Sequence, residues 1–174
     1  MLKTSDLKAY FKEIARTNID IQDGQNGKIR FIQFDQRDEV SLFVKKVEFT
    51  HFFLAFMKPS TIIRKNQSGT HRKFFAMGFY LLRQCKNNDL QNIEDTQTEA
   101  EEICEEIRQK IINDCYETNG TCIKINNELV YPDWSEWAID TVQAQAENTA
   151  GIWCEFKMYV NVKTCNYTPT KWIP

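Results

Sequence analysis

The stretch whose reading decides the fold runs from Glu147 to Asn166, "ENTAGIWCEFKMYVNVKTCN". After Gly151 the residues alternate strictly. Ile152, Cys154, Phe156, Met158, Val160 and Val162 fall on one side; Trp153, Glu155, Lys157, Tyr159, Asn161 and Lys163 fall on the other. A period of two is that of a pleated strand with one apolar and one wet face. A strand this long needs antiparallel neighbours and something amphipathic laid over its apolar side.

The upstream sequence supplies both. "WAIDTVQAQ" flanks "AENTAG" and predicts a hairpin with the long strand, while "CIKINNELVYP" predicts a shorter one turning at Asn126-Asn127. "KIRFIQFD" alternates, and "EVSLFVKKVEFT" reads as strand from its Val and Phe content. "HFFLAFM" and "KFFAMGFYLLR" carry apolar residues on both faces, as central strands do. Pro59, Asn66, Ser68 and Gly69 in the segment between them predict a hairpin with a long arm or loop over 58–73.

Two segments have helical spacing instead. From Ser5 to Thr17, Leu7, Phe11 and Ile14 recur on one face, with Ser5-Asp6 as the starting cap. From Asp95 to Cys115, Ala100, Ile103, Cys104, Ile107 and Ile111 make a continuous apolar face, with Thr96 and Glu99 as a capping box or Asp95 as cap. The expected fold is therefore α+β: a mostly antiparallel sheet with two helices packed on one face and a long β-hairpin arm. At 174 residues, without repeats or linkers, it reads as a single domain over 1–174, with 166–174 as a C-terminal tail.

Composition narrows the function classes. A net charge of -2 argues against a dedicated nucleic-acid binder. The longest apolar run, "FFAMGFYLL", is far short of a bilayer span, and the polar N-terminus does not resemble a signal peptide, so no membrane partner is expected and the protein reads as made in the cytoplasm. The six cysteines include no CxxC, and Cys104 and Cys154 sit on apolar faces as small buried hydrophobes. Phosphate-loop, dinucleotide, zinc-protease and serine-hydrolase motifs are all absent from the sequence. His51 and His71 have no nucleophile or ligand set beside them, so no catalytic residue, metal or cofactor is expected.

Two features rise above this background. Between Lys58 and Lys73 lie Lys58, Arg64, Lys65, Arg72 and Lys73 with no acid; between Glu94 and Glu106 lie seven acids, Glu99, Glu102 and Glu106 among them, with no base. Either is an ordinary solvated surface, or the basic arm of one copy meets the acidic helix of the next in a head-to-tail contact. The second feature is aromatic. "YPDWSEW" and Trp153 read as core filling, whereas Trp172, in "NYTPTKWIP", reads as a docking residue near a terminus.

The order of an N-terminal helix, a strand-rich middle with a hairpin arm, an acidic amphipathic helix and the closing "AGIWCEFKMYVNV" strand resembles the tail-terminator and neck (connector) proteins of tailed bacteriophages. That resemblance implies a non-enzymatic virion protein, made in the host cytoplasm and sited in the tail or neck. It implies a homo-oligomeric ring, expected to be a hexamer, that caps the tail tube and joins it to the head. Its partners would be copies of itself, tail-tube proteins and neck or portal-adjacent proteins, with transient contact to genomic DNA in the channel. The alternative reading is a non-enzymatic module of a phage or mobile element that binds a small molecule or peptide near Trp134 and Trp137.

Overall fold

The computed structural model describes residues 2–44, 51–65, 70–86, 89–116, 120–143 and 148–162. The chain opens with helix α1 (Thr4–Thr17), whose Leu7, Phe11, Ile14 and Ala15 are buried at helical spacing. Its start is held from inside the first turn, where the Asp6 carboxylate accepts the Lys3 N–H at 2.7 Å. A polar turn leads to strand β1 (Phe31–Phe34). The Asp23 side chain fixes that entry by accepting the Arg30 and Phe31 N–H groups at 2.7 and 2.9 Å.

Helix α2 (Arg37–Val44) follows, then β2 (Phe53–Met57), β3 (Ser60–Lys65) and β4 (His71–Gln84). Thus the part of "EVSLFVKKVEFT" up to Val44 is helix, not strand; its remainder lies outside the described residues. The reason is topological as well as local. β1 and β2 pair in parallel, and parallel neighbours need a crossover connection, which α2 provides. Val40 and Val44, one turn apart, face the same cluster, with Phe43 packed against it.

The longest helix, α3 (Leu90–Tyr116), begins five residues earlier than the spacing of its apolar face predicts. Asp89 caps it, accepting the Asn92 N–H at 3.1 Å. Thr96 is no cap: it is fully buried within the helix, and its hydroxyl donates back to the Asn92 carbonyl at 2.7 Å. Strands β5 (Ile123–Ile125), β6 (Glu128–Gln143) and β7 (Thr149–Val162) complete the chain. Asn126 and Asn127, both at positive φ, form the two-residue β5–β6 turn the sequence predicts.

All seven strands form one curled sheet in the order β1-β2-β4-β7-β6-β5, with β3 paired to β4 beside β2. Every pairing but β1–β2 is antiparallel. β7 lies at the centre, paired with β4 along its whole length from Thr149 to Val162. Alternation then sorts the sheet into two faces. The inner face buries Leu54, Phe56, Phe75, Met77, Phe79, Ile152, Cys154, Phe156, Met158 and Val160 beneath α1 and α3. On the outer face α2 covers only one end, burying Phe34, Phe53, Ala55, Leu82 and Trp153. The alternation of β7 holds as read from Ile152 to Val162, Lys163 lying outside the described residues, with one correction: Trp153, on the wet side, is buried under this second cluster.

Candidate interaction surface

The basic hairpin is β3 and the first half of β4, in register from Ser60↔Ala76 to Lys65↔His71. β7 braces the other side of β4 as far as His71↔Val162. All six residues of β3 are exposed, with Ile62 and Ile63 at 51% and 60%. Arg64 and Arg72 are direct cross-strand partners on the outer face. Two like charges so placed repel, and each guanidinium rests on an aromatic ring instead of a carboxylate: Arg72 over Tyr159 at 4.5 Å and Arg64 over Phe74 at 5.9 Å. Tyr131 stacks on Tyr159 at 5.1 Å, extending this aromatic floor. Lys73 lies over Phe75 at 4.8 Å. Lys58 stands apart from the others, paired with Asp35 at 2.9 Å, a bond that raises its pKa.

The acidic residues on α3 are exposed at Glu99, Glu102 and Glu106. Two of the three have partners within the chain. Glu99 pairs with Arg83, which also lies over Phe52 and so ties β4 to the helix. Glu106 accepts a hydrogen bond from the Asn18 amide at 2.9 Å. Glu102 is engaged by none of the ion pairs or hydrogen bonds recorded among the described residues. Trp172 and the whole of 166–174 lie outside the described residues.

The "YPDWSEW" segment is part of β6, where the register slips between Asp133↔Lys157 and Ala138↔Glu155. The bulge gives its two tryptophans separate roles. Trp137 packs on Phe156 and Phe79 of the core, with ring centroids at 5.0 and 6.4 Å. Trp134 is exposed and lies beside Arg108 of α3. An open groove of about 410 Å³ borders the bulge, lined by Met57, Ala76, Glu136, Trp137 and Lys157 among others. The buried Trp137 indole N–H has no hydrogen-bond partner among the described residues.

Four thiols, Cys104, Cys115, Cys122 and Cys154, are buried, and Cys85 is half-buried. Burial pushes Cys115 up to about 11, and Cys154, hydrogen-bonded to Cys104 and buried, is raised strongly. Such thiols stay protonated and unreactive near neutral pH. Among the described residues no group of three or more His, Cys, Asp or Glu side chains is placed to hold a metal ion. No helix among them is long and apolar enough to cross a membrane.

What sequence reasoning missed is the acidic character of β6. Its sixteen residues hold Glu128, Asp133, Glu136 and Asp140 and no base. The signal was present in the sequence but divided between two predicted hairpins. No family model matches the chain, and no curated protein matches it.

Proposed function

We propose that this chain is a non-enzymatic structural virion protein of a tailed bacteriophage: a tail terminator or neck connector whose copies form a ring that caps the tail tube and joins it to the head. One observation carries the reading. The basic residues Arg64, Lys65, Arg72 and Lys73 gather on one hairpin at the end of the sheet, without an ion-pair partner among the described residues. Acids meanwhile stand on the exposed side of α3 and at four positions of β6, where Glu136 is paired with Lys157 at 3.0 Å. Unlike patches at different places on one molecule make head-to-tail contacts, which close into a ring where the rotation between copies allows it. Tail-tube, neck and portal-adjacent proteins are the further partners of such a ring, and the DNA in its channel a transient one.

The test is the mass of the purified protein by light scattering, with negative-stain images of the same sample. A ring is expected, six copies being the anticipated number, and reversal of Arg64 and Lys65 to Glu should lower the mass. A strict monomer at high concentration, both alone and mixed with tail tubes, would exclude the proposal. A second reading, a small-molecule or peptide module, draws on the groove beside Trp137 and its unpaired indole N–H. An unchanged tryptophan emission across a broad ligand screen would leave that reading without support.

A further inference from the structure

Resting on the ring reading, we infer how the ring closes: the open edge of β3 in one copy pairs antiparallel with the open edge of β6 in the next, Arg64 facing Asp140. Strand addition of this kind supplies main-chain hydrogen bonds for affinity and alternate side chains for specificity. Four observations converge on it.

The first is that neither edge carries a further strand, the Val142 carbonyl of β6 accepting only a long contact from the Gln97 side chain at 3.5 Å. Among the described residues β3 pairs only with β4, and β6 beyond Val130 pairs only with β7. They bound opposite sides of the same run of strands, β3-β4-β7-β6. The second is direction. Each neighbouring pair in that run is antiparallel, so β3 and β6 point opposite ways. A rotation axis lying along the strands preserves both directions, and β3 of one copy therefore meets β6 of the next as an antiparallel neighbour.

The third is charge. β3 has two bases and no acid, while β6 has four acids and no base. Asp140 is exposed and has no recorded ion pair or hydrogen bond among the described residues. Arg64 needs such a partner, because Arg72 is directly opposite it. The same repulsion protects a free β3 edge from pairing with itself or with other basic strands.

The fourth is face matching. Arg64 lies on the outer face, opposite Arg72, and Asp140 shares that face, opposite Trp153. With Arg64 set against Asp140, the antiparallel register brings Ile62 against Val142 on the outer face. On the inner face it brings Ile63 against Thr141 and Lys65 against Ile139. Ile62, Ile63 and Ile139 are all large apolar side chains exposed in the single copy, and each gains a cross-strand neighbour.

The experiment is a charge swap read by assembly mass, with thermal melting to check that each variant folds. R64E/K65E and D140K should each weaken assembly at least about tenfold, and the combined variant R64E/K65E/D140K should recover most of it. Independently, the pair I63C and T141C should give a reducible ladder of linked copies, which I63C alone should not. If the wild type assembles but neither swap nor cross-link has an effect, the strand-addition inference is overturned while the ring reading stands. If the wild type stays monomeric alone and on tail tubes, both fall.

Discussion

The two faces of this sheet are built from the same strands, residue by residue in alternation, and yet they come to opposite ends. On the inner face Phe11 of α1 stacks on Phe56 at 4.7 Å and meets Phe156 at 5.4 Å, and α3 lays Ile103, Ile107 and Ile111 over the rest. On the outer face at the arm end, Arg64 lies over Phe74 and Arg72 over Tyr159, with Tyr131 stacked beside Tyr159, and among the described residues no helix covers them. The strands do not decide which face is sealed; the connections do. Two helices return over one side, while the short crossover α2 reaches only part of the other. Burial on the inner face supplies stability, while among the described residues the arm-end half of the outer face is only half-buried.

The largest expected effect tests the joint both faces share. Gly151 is paired with Leu82 of β4, and a Cβ there would run into the Leu81 carbonyl on that strand. Backbone cannot yield as a side-chain tip can. Gly151→Ala should therefore cost on the order of 4 kcal/mol, read as a fall in the urea midpoint, and loss of both clusters together. A variant of wild-type stability would mean that the central pairing is looser than the register indicates.

The next contrast separates the faces. Phe11→Ala opens a cavity in the sealed layer and should cost about 3–4 kcal/mol. Phe74→Ala, on the bare half, should cost less than about 1 kcal/mol in the isolated chain. Equal losses in denaturant titrations would show that the arm end is packed as tightly as the core, and would undo the contrast.

How much of this was legible in the sequence follows from how local each cause is. The alternation in β7 and the apolar face of α3 were readable because each element meets one layer over its whole length, so a single period persists. Trp153 escaped that reading because what buries it is α2, distant in sequence. The helical spacing of Val40, Phe43 and Val44 was in plain view, but three β-prone residues in an eight-residue element look equally like strand. The parallel β1–β2 pairing that makes the helix necessary is non-local and has no local signature. At the start of α3, Asp89 and Thr96 are both competent caps by type; only tertiary burial of Thr96 against Arg83 separates them. For the surface, the basic arm was readable as a run of charge. The acidic β6 edge was not, since it emerges only when two predicted hairpins prove to share one strand.

The smallest effect uses protons to tell the faces apart. Three groups that burial or a hydrogen bond holds neutral lie against the sealed layer: Cys115, Cys154, and Tyr10, whose hydroxyl donates to Asp114 at 2.7 Å. Each has a folded pKa above its unfolded value. Below the unfolded values both states carry the same protons and the stability is intact. Above about pH 9, the ordinary value for a thiol, the unfolded chain gives up protons that the folded chain retains, and stability falls. For Cys115 that window runs from about 9 to about 11. The urea midpoint should thus be level from pH 7 to 8.5 and decline from 9 upward, and Cys115→Ala should reduce the slope inside that window after its own cavity cost is subtracted. A midpoint that stays level to pH 10.5 would mean that water reaches these groups in the folded chain, and that the inner face is not sealed in the way its packing implies.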